Sequence, residues 1–330
     1  MPESFPLLIV LILIALAFGV ANGFNDAANA IATVIGSRAL SPRKAIGMAA
    51  ILNLAGALTG LKVAETIGKG ILVPEAVTLG TVLAGTFAAV IWATAATRYG
   101  MPISVTHSLV AGLVGAGIAA SGTAVVVWGV LGRVLSAVVS APALGFIGGF
   151  GIMVALLWLL RRAAPERLRT LFSRLQILSA AFMAYSHGKN DGQMPMGLIS
   201  LSLMLYYGWQ EFHVPWWVII ASSAAISLGT AIGGWRVIRT IGLRVTTLRP
   251  VHGFVAQASA ATIIEIASLQ GIPVSTTHCI SSSVMGVGAT RRLSAVRWGI
   301  AGSIVTAWIL TFPICAALGW LIARLVHLLA

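Results

Sequence analysis

Long apolar runs alternate with short polar or basic breaks along the whole chain. Phe5 to Ala21 carries no charge, Ala27 to Gly36 is interrupted only by Asn29 and Thr33, and Asn22, Asn25 and Asp26 lie between these two runs. Further runs cover about 43–61, 76–97, 124–141 and 143–160, with Pro142 at the last break, and then Ile177–Ser200, 216–235 and 251–268. Ser41 before Pro42 marks a helix start, an N-cap followed by proline at the first helical position. A membrane-crossing helix needs about 20 mostly apolar residues, and by that measure the pattern predicts about ten transmembrane helices. Two stretches depart from it, 102–120 and 272–290. Met101-Pro102-Ile103-Ser104-Val105-Thr106-His107 leads into Gly112, Gly115 and Gly117, and Ile272-Pro273-Val274-Ser275-Thr276-Thr277-His278 into Gly286 and Gly288. Each is too short to cross and return as two full helices, which predicts a re-entrant hairpin.

The polar interruptions come in pairs. GFNDAANA at 23–30 is echoed by SHGKNDGQ at 186–193, so that Gly23, Asn25 and Asp26 recur as Gly188, Asn190 and Asp191. Pro102, Ser104, Thr106, His107, Gly115 and Gly117 recur at one constant offset, and Trp128-Gly129 and Pro142 recur as Trp298-Gly299 and Pro313. The chain therefore divides into repeats at 1–165 and 166–330, each with about five spans and a hairpin. A duplicated unit with an odd number of crossings sits in the membrane in two opposite orientations. The expected fold is an all-α membrane protein with inverted-topology repeats, whose site lies near the midplane where broken elements of both halves meet.

Composition removes other classes. The 330 residues are 58% hydrophobic and 9% charged, with mean hydropathy +0.97. The net charge of +13 sits in short clusters between spans, which fits positive-inside loops and contacts with anionic membrane lipids and not nucleic acid. With the N-terminus outside, Arg38–Lys44, Arg161–Arg174 and Arg236–Arg249 are cytoplasmic, at the cost of Arg291, Arg292 and Arg297 outside. Residues 5–21 lack the basic flank of a signal peptide and read as a retained span. Cys279 and Cys315 have neither metal-site nor disulfide spacing. No nucleotide-binding loop is visible.

A carboxylate and several amides inside a membrane segment cost kilocalories each unless they face a cavity, a partner or an ion. Asp26, Asp191, Asn25, Asn29 and Asn190 offer hard oxygens suited to Na⁺ or a proton and unsuited to soft metals. Asp26, Asn29 and Asp191 are thus expected at a coupling ion, with no cofactor or structural metal. Helix N-termini in the hairpins are ready anion sites. Hydroxyls of Ser104, Thr106, Ser275, Thr276 and Thr277, with the amides of Asn25 and Asn190, would complete a site for a tetrahedral oxyanion. The plainer alternatives are back-bonding hydroxyls and an Asn–Asp network capping broken helices; duplication of both motifs favours function. His107, His187 and His278 suit either a proton relay or support of the hairpin tips. Glu265 suits a structural role as well as coupling. Symmetric motifs without nucleophile–base spacing disfavour an intramembrane hydrolase, and paired halves disfavour a simple channel.

GFNDAANA, SHGKNDGQ, PISVTH and PVSTTH, in this order over nearly the whole chain, resemble the duplicated signatures of the inorganic phosphate transporter (Pit/PiT) family, in the form typical of its bacterial branch. The resemblance implies a multi-pass protein of the plasma membrane, cytoplasmic in a bacterium. It further implies two re-entrant hairpins, a homodimer, and import of inorganic phosphate by secondary active symport with H⁺ or Na⁺. For the bacterial branch it implies proton coupling and carriage of neutral metal–phosphate. The same-fold alternative is a sulfate or other oxyanion permease; phosphate still donates a hydrogen through its OH and sulfate does not, so carboxylate acceptors beside the anion favour phosphate. Two positions depart from the family. Met194 stands where symmetry with Asn29 calls for an amide. Lys189 replaces a small residue, either snorkelling away or acting as a charge surrogate for a coupling cation.

Overall fold

A computed structural model describes residues 4–329. The elements are helices: α1 (Phe5–Gly36), α2 (Pro42–Ala57), α3 (Lys62–Glu65), α4 (Leu79–Tyr99), α5 (Val105–Ser121), α6 (Trp128–Leu159), α7 (Pro165–Asp191), α8 (Gln193–Tyr207), α9 (Trp216–Ile232), α10 (Trp235–Arg239), α11 (Pro250–Leu269), α12 (Thr276–Ala289) and α13 (Trp298–Leu329). Short π-helical turns, Thr66–Gly70 and Thr240–Arg244, prolong α3 and α10. Among the described residues there is no strand, only an isolated antiparallel bridge between Leu72 and Val126.

Four described helices, α1, α4, α6 and α13, are long and apolar enough to cross a membrane. Two bent pairs raise the number to six: α2 with Lys62–Gly70, bent by 68°, and α9 with Trp235–Arg244, bent by 61°. The expectation that Pro142 separates two spans is not met. Pro142 and Pro313 lie inside uninterrupted 32-residue helices, so 124–141 and 143–160 form one rod and not two spans. Proline removes one helical donor, and neighbours in a membrane bundle can re-satisfy the freed carbonyl.

The hairpins also differ from expectation. Residues 102–120 do not fold back on themselves. Gly100, at φ 69°, ends α4 in the left-handed conformation, a short extended tip carries Pro102, and α5 is the single returning arm. The second hairpin likewise pairs α11 with α12 through a tip holding Pro273 and Val274. Each hairpin thus spans two full helices and begins well before the predicted stretch.

The two halves of the chain are interlocked. The motif helix α1 packs on α9 while α7 packs on α2, and the returning arm α5 packs on α13 while α12 packs on α6. Backbones touch at these crossings. A methyl on Gly23 would meet the Ile226 carbonyl oxygen at 2.1 Å and one on Gly188 the Asn53 carbonyl oxygen at 2.2 Å. The matched glycines of the two motifs therefore serve close helix approach, as small residues do in membrane bundles.

Gly23→Ala and Gly188→Ala are expected to lower stability by about 1–3 kcal/mol each through overpacking. Gly302→Ala, at a position with nothing within 4 Å, is the control that leaves it unchanged. Thermal melting of the purified variants checks this.

Candidate functional site

The hairpin tips converge on the middle of α1 and the C-terminal end of α7. Helix α1 runs unbroken through its motif, so Asn22, Asn25, Asp26 and Asn29 project from a complete helix. In the second half Asp191 is the last residue of α7, ahead of Gly192. Spacings of three and four residues put Asn22, Asp26 and Asn29 on one helix face. None of Asn22, Asn25, Asp26, Asn29, Ser104, Thr106, His187, Asn190, Asp191, Ser275, Thr276 and Thr277 is more than 2% exposed. The site is closed to solvent.

Asp26 is gripped by the opposite half of the chain. Thr276 Oγ1 donates to its Oδ2 at 3.1 Å and Thr277 Oγ1 to its Oδ1 at 3.2 Å. Asn29 Nδ2 donates in turn to both hydroxyls, at 3.0 and 2.9 Å, which orients their protons onto the carboxylate. Asp191 Oδ1 accepts from Asn190 Nδ2 at 2.6 Å, and the same amide donates to the Val274 carbonyl in the second tip at 2.9 Å. Thr106 of α5 donates to that carbonyl as well, at 3.2 Å, so the two tips meet there.

His187 stands between the carboxylates. Its Nε2 lies 3.4 Å from Asp191 Oδ2 and 3.9 Å from Asp26 Oδ2. Which nitrogen carries the proton follows from the hydrogen bonds behind it. Thr230 Oγ1 donates to the Ile226 carbonyl at 3.0 Å, leaving its oxygen to accept from Asn53 Nδ2 at 2.8 Å. The Asn53 Oδ1 acceptor therefore faces His187 Nδ1 at 2.7 Å, and Nδ1 must be the donor. Nε2 then turns its lone pair toward two acidic oxygens, an arrangement that repels unless positive charge enters it. A proton on Nε2 supplies that charge, and so does a cation, because the three side chains present ligand atoms within 4.8 Å of one another. Buried oxygens of Asn22, Asn25, Asn29 (Oδ1) and Asp191 (Oδ2) have no donor, as befits a region awaiting a cation or a hydrogen-bonding solute.

The other expected residues take distinct places. Asn25 Nδ2 donates to Thr97 Oγ1 of α4 at 2.5 Å. Ser104 and Ser275 are N-caps, accepting from the His107 and His278 backbone N–H groups at 3.1 Å each. His107 and His278 do not reach the carboxylates. Their rings meet edge to face at 4.9 Å behind the tips, with His107 tilted against Phe312 and His278 stacked on Trp308. Lys189 sends its ammonium to Glu265 of α11 and not to Asp191. The charge-surrogate expectation for Lys189 thus finds no support in the geometry, since an ammonium already paired with a carboxylate has no free charge to lend the second half-site. Met194 accepts a weak contact from Asn22 Nδ2 at 3.9 Å. Asn53, Thr97 and Thr230 were not predicted; Asn53 alone carried a readable signal, an amide in the apolar run ILNLAG.

The family model described as "Phosphate transporter family" matches residues 22–168 and 160–319. The chain belongs to the phosphate transporter family. It is 44% identical over 316 residues to a protein of Rhizobium meliloti (strain 1021), covering 95% of this chain and 94% of that one. It is 39% identical over 320 residues to one of Bacillus subtilis (strain 168), covering 95% of each. Both carry the name "Probable low-affinity inorganic phosphate transporter". Among solved structures, "The sodium-dependent phosphate transporter" superposes with a TM-score of 0.91 at 26% identity, over 99% of this chain and 100% of that one. These relatives are transporters and not enzymes. For a phosphate transporter, the buried Asp26–His187–Asp191 cluster and the adjoining hairpin tips are the chemically distinctive region of this membrane protein.

Asn53→Leu is expected to leave the His187 Nδ1–H buried without an acceptor, costing about 1–3 kcal/mol and releasing the ring to either tautomer. Melting of the variant and ¹⁵N-histidine spectra are the measurements; a wild-type signal for an Nδ1–H imidazole that survives in the variant contradicts the assignment.

Proposed function

We propose that the chain is a secondary active transporter that imports inorganic phosphate, free or as neutral metal–phosphate, coupled to H⁺ or Na⁺ by alternating access. The observation that carries this reading is the pair of buried carboxylates facing His187 Nε2, a constellation that needs positive charge, beside two hairpin tips rich in neutral donors. Asp26, Asn29 and Asp191 hold the coupling ion. Ser104, Thr106, Ser275, Thr276 and Thr277, with Asn25 and Asn190, serve the anion. Each serine caps one first-turn N–H of its helix, and other first-turn N–H groups of α5 and α12 remain as donors at positive helix ends.

A cation among Asp26, His187 and Asp191 offsets the charge of an anion entering beside it, which links the two fluxes. Carboxylates beside the anion accept a hydrogen from a protonated phosphate and repel sulfate, which has none to give. Reciprocal packing of the halves supports inverted repeats at 1–165 and 166–330, with alternating access arising as one set of interlocked helices rocks against the other. The working protein is a homodimer in the plasma membrane.

Radiolabelled phosphate and sulfate uptake into proteoliposomes, under separately imposed proton and sodium gradients, tests this. Phosphate should accumulate under at least one gradient. Asp26→Asn and Asp191→Asn, which keep size and lose charge, should each abolish accumulation while inserting normally. Near-normal transport by both variants would remove the carboxylates from the mechanism, and sulfate accumulation in place of phosphate would change the substrate.

Ser104→Ala and Thr277→Ala are expected to weaken phosphate binding by about 0.5–1.5 kcal/mol for each neutral hydrogen bond lost. Binding isotherms for the purified variants give the comparison, and unchanged affinity in both returns these hydroxyls to a structural role.

A further inference from the structure

Away from the transport site, the end of α6 and the starts of α7 and α11 enclose a cleft of about 590 Å³, within the roughly 300–1,000 Å³ range of small-molecule sites. Its walls are apolar, with Met153, Leu156, Leu157 and Phe172 among them, and its charged groups are Arg161, Arg169 and Arg249. A second cavity of about 440 Å³ shares Arg169 and Pro250 with the first and adds Arg38 and Arg174. No acidic side chain lines either cavity; Glu166, in the first turn of α7, lines neither. None of these five guanidinium groups has an ion-pair partner among the described residues.

Two further features point the same way. Helices α7 and α11 both start here, with Pro165 and Pro250 in their first turns; no side chain caps α7, and at α11 the Arg249 backbone N–H donates to His252 Nδ1 at 3.2 Å. Two positive helix ends are therefore added to the arginines. Outside the cleft, Trp158 is 69% exposed and Arg161 lies over its ring at 5.0 Å, a pairing suited to the boundary between lipid tails and headgroups. An anion-seeking rim around an apolar slot matches a ligand with one charged end and one hydrocarbon end. Free phosphate has no use for the slot, and a neutral lipid has no use for the rim.

We infer that this cleft binds an anionic phospholipid, one acyl chain lying between α6, α7 and α11 and the headgroup phosphate resting on Arg161, Arg169 and Arg249. The site is independent of the transport reaction and stands or falls separately from it.

The test is native mass spectrometry of the purified full chain in detergent, titrated with phosphatidylglycerol or phosphatidylcholine. Phosphatidylglycerol should be retained preferentially. The Arg161→Gln/Arg169→Gln/Arg249→Gln triple variant should lose this preference, at about fivefold in affinity per guanidinium removed. Leu157→Trp, which narrows the slot without altering charge, should weaken retention of the lipid. If the triple variant does not fold, the three single variants read the same loss in smaller steps. Equal retention of both lipids, displacement of phosphatidylglycerol by inorganic phosphate, or an unchanged preference in all arginine variants overturns the proposal. So does disulfide cross-linking of a Leu157→Cys variant between two copies of the chain, which would make this face a contact between copies.

Discussion

Asp26 and Asp191 meet where water does not reach, and removing an ionised carboxylate from water costs several kcal/mol unless it is paired and hydrogen-bonded. The surroundings answer this demand in layers. Hydroxyls of Thr276 and Thr277 cover both oxygens of Asp26, Asn190 covers one oxygen of Asp191, and His187 fills the space between. Behind His187, Asn53 and Thr230 determine which nitrogen faces the acids. The remaining imbalance is one of positive charge, which a proton or a cation among Asp26, His187 and Asp191 would meet.

Such a site depends on exchange between the halves. Asp26 belongs to α1 and its hydroxyl partners to α12; His187 belongs to α7 and its orienting amide to α2. Neither half can build the cluster alone. The glycine contacts of α1 with α9 and of α7 with α2 set the backbone separations at which these short side chains reach one another. A wider crossing would carry Asn53 and Thr230 away from their partners before it disturbed the apolar core.

Much of the site could be read along the chain because its chemistry is anomalous there. Asn and Asp in an apolar run, and Pro followed by Ser and Thr, stand out whatever the tertiary arrangement. Less legible was anything decided by a neighbour. Pro142 looks like a break, yet α6 continues through it, because a membrane bundle can compensate the lost donor. The hairpins seemed confined to 102–120 and 272–290 because their first arms, in α4 and α11, resemble ordinary spans. Lys189 lies next to Asn190 in sequence, but its side chain leaves α7 toward Glu265, a partner that no local pattern identifies. Thr97 and Thr230 are single hydroxyls in apolar helices, indistinguishable from back-bonding threonines until Asn25 and Asn53 are seen against them.

The grip of Thr276 and Thr277 on Asp26 ties a state of charge to a position of the backbone. Hydrogen bonds to an ionised carboxylate are roughly twice as strong as those to a neutral group. Both threonines sit in the first turn of α12, next to the tip of its hairpin. Neutralising Asp26 would weaken two fastenings at once, and drawing the hairpin away would strip the carboxylate of both hydroxyl donors. The two hydrogen bonds from Thr276 and Thr277 make Asp26 a latch in the geometric sense, fastening the first motif helix to the tip of the second hairpin.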